Sequence, residues 1–378
     1  MSESQMTPRE NLFRVLRHER PQWIPVTGHC DPYNQPNRDG MDPDLAKQLE
    51  NVRWSDESTV HLSRYLGLDI ADWYWPPISL KPGPNVVEES RIDGNDTITT
   101  WHTPEGDLRQ VVRQPVGGVA YTVEHFIKTA DDLARMASYY ENLVIGLDQE
   151  RLPDLHRRRE LIGDDGILLC SMAGTPLSEL IRRFAGVETT VYLTADAPDA
   201  VHDLFKVMTR RQIESHSLAA SLDGCDVIVG VDDTSTTTQS PAMFEEYCVD
   251  YTNRMADLAH AAGKFYFHHS CGLIKDLLPL YRQTRMDAVH AFTVPPIGNV
   301  TIAEGRRRLG DRITIMTSPH ALADIKWEPN AVRASVRQMF EEAGGGDHFI
   351  MGIAAYPHRT IEQTKFVVDC CREFGRLS

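Results

Sequence analysis

The chain has 378 residues, 41% apolar and 25% charged, with a formal net charge of −15. Length and composition fit a globular protein with a large core, as two domains or one large α/β barrel, and the acidic balance argues against a general nucleic-acid or anionic-membrane binder. No apolar run approaches the roughly 18 residues of a membrane-spanning helix, and the opening "MSESQMTPRENLFRVLRHERP" lacks the apolar core of a secretory signal. The seven cysteines (Cys30, Cys170, Cys225, Cys248, Cys271, Cys370 and Cys371) are scattered and odd in number, so free thiols in a reducing cytoplasm are expected.

In chain order, a helix is predicted from about Pro8 to His18, then a short strand at "WIPV". The polar, Pro-rich "DPYNQPNRDGMDPD" reads as a loop over a site. "GLDIADWYWPP" is the next strand. Between Val86 and Val116 short alternating segments are separated by "DGND" and "TPEGD", the signature of antiparallel hairpins inserted into a larger domain.

From Thr129 onward strand and helix alternate: the helix "TADDLARMASYYENL", the strand "GILLCSMAGTP", the helices "LSELIRRFAG" and "PDAVHDLFKVMTRRQIESHSLAASL", then the strand "CDVIVGVDD". After the helix "SPAMFEEYCVDYTNRMADLAHAAG" come the strand "KFYFHHS", the helix "GLIKDLLPLYRQT", the strand "DAVHAF", the helix "TIAEGRRRLG" and the strand "RITIMTS". The helix "NAVRASVRQMFEEAGG", the strand "HFIMGI" and the helix "TIEQTKFVVDCCREFG" close the chain. About eight strands, each followed by helical material, imply a parallel sheet, and that number predicts a single (βα)8 TIM-type barrel over residues 1–378 with its chemistry at the strand carboxyl ends. An open doubly wound sheet is the runner-up. No Gly-x-Gly-x-x-Gly or Gly-Lys-Ser/Thr loop supports nucleotide binding.

The predicted strand ends are rich in metal-competent groups. Strand alternation puts His269 and Cys271 on one face, and imidazole with thiolate is a donor pair that suits zinc; the competing role is a hydrogen-bonded histidine beside a small buried thiol. Asp232 and Asp233 are candidates for a general base, a substrate anchor or a metal ligand, against the capping of the following turn. His290 lies within a strand, as a ligand or as a hydrogen-bonded structural group, and His320 and His358 follow later strands. Trp73, Tyr74 and Trp75 line an apolar pocket or belong to the core. Cys370 and Cys371 read as helix packing.

The segments "RENLFRVLRHERPQWIPV", "GTPLSELIRRF", "DDTSTTTQSPAMFEEY", "HHSCGLIKDLLP", "DAVHAFTVPPIGNVTIAEGRRRLGDRITI" and "GIAAYPHRTIEQ" together resemble the uroporphyrinogen decarboxylase superfamily, within it the zinc-dependent, corrinoid-linked methyltransferases. The resemblance covers most of the chain and implies a distorted (βα)8 barrel, with His269 and Cys271 as zinc ligands. In that branch a second cysteine precedes the Gly-Ile of the last strand, where this chain has Met351, and a thioether is a poor zinc ligand. His290, Asp232, Asp233, His358 and His29 are the candidates to substitute, the alternative being a site that has lost zinc. His29, Trp73, Trp75, Met351 and His358 are placed around the substrate. The decarboxylase branch grips its substrate's carboxylates with an arginine-rich segment after the first strand; here that segment has only Arg38, short of the paired guanidiniums such recognition needs.

The resemblance therefore implies a zinc-dependent methyltransferase or demethylase for a small methylated or methoxylated compound. No corrinoid-binding Asp-x-His-x-x-Gly segment occurs in the sequence, so the corrinoid is expected on a partner protein. Family habit adds a homodimer. The alternatives are a metal-free decarboxylase or lyase on the same barrel and a non-catalytic binder of a small molecule or tetrapyrrole.

Overall fold

A computed structural model describes residues 6–29, 37–53, 56–318, 327–354 and 359–377. Eight parallel strands form the central sheet: β1 (Val26–His29), β2 (Ile70–Tyr74), β3 (Gly166–Ala173), β4 (Val227–Val231), β5 (Phe265–His269), β6 (Ala288–Thr293), β7 (Thr314–Ser318) and β8 (Phe349–Ala354). They are hydrogen-bonded in the order β1-β8-β7-β6-β5-β4-β3-β2, a nearly closed TIM-type barrel with helices between the strands. The seam between β1 and β2 carries a backbone hydrogen bond from Asp69 N to Val26 O at 2.8 Å. The buried Asp69 carboxylate also accepts from Val26 N and from Arg372 Nη1, each at 2.8 Å.

Because a parallel strand is covered on both faces, apolar side chains point both ways along it. Inside the barrel, Ile167 and Leu169 of β3, Val227 and Val229 of β4, Phe267, Ala288, Met316 and Ile350 pack together. The N-terminal helix Pro8–Leu16 inserts Leu12, Val15 and Leu16 into the same cluster, plugging the amino-terminal mouth. Arg9 locks it there by hydrogen bonds to Asp226 and to Gly166 O. Outward-facing residues such as Ile228, Tyr266, Val289, Ile315 and Phe349 meet the helices. Chemistry is thereby left to the carboxyl-terminal mouth.

The inserted hairpins form a separate antiparallel sheet of four strands, Val87–Asp93, Asp96–Thr103, Gly106–Arg113 and Tyr121–Glu124, so the insertion extends past Val116. Gly94, at φ +60°, supplies the left-handed residue of its tight first turn. Trp101 fastens this sheet to the barrel by stacking at 3.9 Å on both Phe126 and Tyr139. A second antiparallel pair, Ile78–Pro82 with Leu143–Leu147, was not expected.

Two local expectations give way to tertiary contacts. The helix expected over "GLIKDLLPLYRQT" is reduced to Leu278–Tyr281. Ahead of it, Leu273 N donates to Ser235 Oγ at 3.1 Å, and Ile274 N and Lys275 N donate to Asn299 Oδ1 at 3.0 and 3.1 Å. Distant side chains thus take the donors that a helix start would otherwise leave bare. "LSELIRRF" splits into an α turn, Pro176–Glu179, and a π turn, Leu180–Phe184. Among the described residues, no helix is long and apolar enough to cross a membrane.

Candidate metal centre

β4 and β5 are neighbours in register, Val231 opposite His269. Continuing each strand's inward-facing positions brings Asp233 beside His269 and Cys271 at the open mouth. Asp233 Oδ1 lies 2.9 Å from His269 Nε2 and 3.2 Å from Cys271 Sγ. One donor atom from each of the three lies within 4.8 Å of the others. Asp233 reaches this place through a left-handed backbone, φ +49°, which is uncommon for a non-glycine residue but one that Asp tolerates better than most.

Arg182, carried by the π turn, closes the other side of the carboxylate. Its Nη2 is 2.8 Å from Asp233 Oδ2, and its Nη1 donates to Val231 O at 2.7 Å. Sequence reasoning did not single out this residue; the available signal was a pair of arginines in an otherwise apolar turn just after a strand end. On the inner side, His269 Nδ1 is 2.8 Å from Nδ1 of the buried His290. The Trp73 ring packs edge-on to His269 and tilted on His290, with centroids 5.5 and 5.2 Å away.

Burial alone would raise the Asp233 pKa, but the hydrogen bond and charge of His269 and the Arg182 guanidinium outweigh it and hold the carboxyl at about 2. Cys271 is exposed at the rim. Even so, the atoms packed around its sulfur and the adjacent Asp233 carboxylate push the thiol up to about 12. Without a cation the centre is a carboxylate beside a protonated thiol, and a metal ion would displace that proton.

Zinc fits this donor set. Carboxylate oxygen, imidazole nitrogen and thiolate sulfur are all zinc ligands at about 2.0–2.3 Å. At 2.9 and 3.2 Å Asp233 now contacts His269 and Cys271 directly, and an ion between them would move the three groups slightly apart. Three protein ligands would leave one of the four zinc positions for water or substrate, as in catalytic zinc sites.

The family described as uroporphyrinogen decarboxylase (URO-D) matches residues 126–374, well over half of the chain. The chain belongs to the uroporphyrinogen decarboxylase family. The matched segment begins after the inserted sheet and includes β3 to β8. A solved methyltransferase from Methanosarcina mazei superposes with a TM-score of 0.61 at 16% identity, covering 98% of this chain and 99% of that one. At that identity the likeness speaks for the fold. A D-psicose 3-epimerase from Clostridium cellulolyticum H10 aligns over 60% of this chain and 86% of its own, with 12% identity and a TM-score of 0.31. The comparison with curated proteins found no match.

The other expected site residues are not gathered into this group. Asp232, one position before Asp233, faces the opposite way and is buried: its Oδ1 accepts from Thr175 N and Thr175 Oγ1, each at 2.7 Å. Its Oδ2 approaches His268 Nδ1 at 3.2 Å, outside hydrogen-bonding geometry. "DD" and "HH" therefore form two Asp–His pairs, one on each side of the same two strands. Asp232, expected as a catalytic group, thus lies in the outer pair, buried and apart from Asp233, His269 and Cys271. His290, expected as a ligand, turns its Nδ1 to His269 and not to Asp233 or Cys271.

Met351 lies in the layer between barrel and helices, 1% exposed, its sulfur accepting from Thr317 Oγ1 at 3.4 Å. Ile350 is the β8 residue that faces the interior, so Met351 is placed on the wrong face to touch a substrate at the mouth. Trp75 follows β2, half exposed, with its carbonyl held by Arg151. The side chain of His29, and all of His320 and His358, lie outside the described residues.

Proposed function

We propose that this protein is a zinc-dependent methyltransferase, exchanging the methyl group of a small methylated or methoxylated compound with a corrinoid carried by a separate protein. The observation that carries the reading is the convergence of Asp233, His269 and Cys271 at the open mouth of a URO-D-family barrel. Zinc there would supply a Lewis acid able to activate a thiol acceptor or polarise a methoxy or methylated-amine substrate. Asp233 provides the third donor that Met351 cannot, which removes the motive for a non-catalytic binder.

The chain's own groups hold and orient. Arg182 fixes one carboxylate oxygen of Asp233 so that the other faces His269 and Cys271. Trp73 walls the inner side and shields the imidazoles from water. A carboxylate and a thiolate neutralise a divalent ion, so the positive charge of Arg182 remains to draw an anionic acceptor or leaving group to the mouth. A reducing cytoplasm would keep Cys271 out of a disulfide and available as the thiolate ligand this chemistry requires.

Metal content by mass spectrometry, on protein purified without a metal-binding tag, tests this reading. Close to one zinc per chain is expected, lost in Cys271→Ser and Asp233→Ala together with methyl transfer from methoxylated donors. Variants that kept both metal and activity would sink it. One observation favours a metal-free lyase instead: Asp233 is already satisfied by His269, Cys271 and Arg182. Incubation with uroporphyrinogen addresses its porphyrin version, which absence of product rejects.

A further inference from the structure

We propose that the inserted antiparallel sheet reaches the metal centre at one remove: Gln110, on its third strand, is a positioning residue that holds the π turn Leu180–Phe184 in the register that aims Arg182 at Asp233. The inference takes its functional meaning from the zinc reading of the same site. The turn closes through Ala185 N, which donates to Leu180 O at 2.8 Å, a ring one residue wider than that of an α-helix. That width sets the direction in which Arg182 leaves the helix. It thereby sets the contacts of the guanidinium, Nη2 2.8 Å from Asp233 Oδ2 and Nη1 2.7 Å from Val231 O.

A π ring is an uncommon closure that needs support from its surroundings. Here the helical ladder breaks just beyond it, at Ala185 (φ −126°) and Gly186 (φ +77°), so the last carbonyls call for outside donors. The insertion and the segment leaving it supply them. Gln110 Nε2 donates to Arg183 O at 3.1 Å, and Ile127 N donates to Phe184 O at 2.8 Å. His125 also hydrogen-bonds the Arg183 carbonyl, whose two lone pairs serve both partners. The fit is close, because a Cβ on Gly186 would come within 2.9 Å of His125 Nε2.

Strand period aims Gln110 at this turn. Leu108, two residues earlier on the same face, is buried and lies directly opposite Trp101, which stacks on Phe126 and Tyr139. Trp101 also meets the Phe184 ring edge-on at 6.4 Å. Contacts then run from Gln110 to Arg183, from Arg182 to Asp233, and from Asp233 to His269 and Cys271. Without the Gln110 donor the turn is free to relax towards an α ring. Arg182 then swings off the carboxylate, and Asp233 loses the contact that orients it.

The test compares wild type, Gln110→Met and Gln110→Lys on the full chain. Methionine matches glutamine in length and cannot donate, whereas lysine reaches as far and can. The first readout needs no metal: the rate at which phenylglyoxal modifies Arg182, mapped by mass spectrometry, with Arg285, held by Asp257 outside the turn, as reference. Loss of one hydrogen bond from the turn is expected to speed modification of Arg182 about two- to tenfold in Gln110→Met. Gln110→Lys should stay near wild type. An unchanged rate in Gln110→Met would overturn the proposal, and so would Gln110→Lys reacting as fast as Gln110→Met.

The second readout is zinc affinity by chelator competition, with Arg182→Met and the Gln110→Met/Arg182→Met double variant added. A residue that acts through Arg182 has nothing left to act on once Arg182 is gone. Gln110→Met should therefore shift affinity in the wild-type background and leave it unchanged in the Arg182→Met background. Equal shifts in both backgrounds would overturn the proposal, because Gln110 would then act by another route. If wild type held no zinc, the methyltransferase reading would fail, while the modification rates would still decide whether Gln110 aims Arg182.

Discussion

Replacing Asp232 by alanine separates the two carboxylates of "DD" by their consequences. Asp232 Oδ1 accepts two hydrogen bonds of 2.7 Å from Thr175, and its Oδ2 faces His268 at 3.2 Å, all away from water. Hydrogen bonds to a charged group contribute about 1.5–3 kcal/mol each. The Thr175 hydroxyl can turn toward another acceptor, but the Thr175 N–H cannot. The expected loss is therefore about 3–5 kcal/mol, a large share of the roughly 5–15 kcal/mol that keeps a domain folded. Asp232→Asn keeps an acceptor for Thr175 and should lose only about 1–3 kcal/mol. Urea unfolding followed by tryptophan fluorescence measures both, and below its midpoint Asp232→Ala should match the metal content of wild type. An Asp232→Ala protein within about 1 kcal/mol of wild type would refute the buried-anchor reasoning. Loss of metal at unchanged stability would move Asp232 back into the site.

Other outcomes follow from side-chain placement. Met351→Ala should remove about 2–5 kcal/mol of stability, as a buried large-to-small change does, and leave metal content unchanged; a fall in metal content alone would place the thioether at the mouth after all. His216 is buried, with Nδ1 2.8 Å from Gln212 O and no partner at Nε2 among the described residues, and burial depresses its pKa from 6.5 to about 4. Because the folded value lies below the unfolded one, its contribution is present above pH 6.5 and is lost as pH falls towards 4. At about 1.4 kcal/mol per pH unit the loss approaches about 3 kcal/mol. His216→Gln should flatten that part of the stability profile relative to wild type, and parallel profiles would contradict it.

Much of the architecture was legible in the residues. The strand and helix periods, spaced through Phe374, called for eight parallel strands and hence for chemistry at their carboxyl ends. "DGND" and "TPEGD" marked hairpins because their turns need residues such as Gly94 with positive φ. Strand alternation also put His268 and His269 on opposite faces, whereas Asp232 and Asp233 lie just past the end of their strand.

Which member of each pair would face the interior was another matter. Parallel strands are apolar on both sides, so "VIVGVDD" and "FYFHHSC" carry no polarity signal that fixes their phase. Packing fixed it: Val227, Val229 and Phe267 entered the barrel interior, Ile228 and Tyr266 met the helices, and Asp233, His269 and Cys271 were thereby aimed at the mouth. The same phase on β8 turned Met351 outward and Ile350 inward. Arg182 joined the centre through a π turn, and the segment after Cys271 lost its helix to Ser235 and Asn299. Local order sets period and turn chemistry in the sequence itself, whereas the phase of a strand and the partner of a charge depend on surfaces that meet only when the barrel closes.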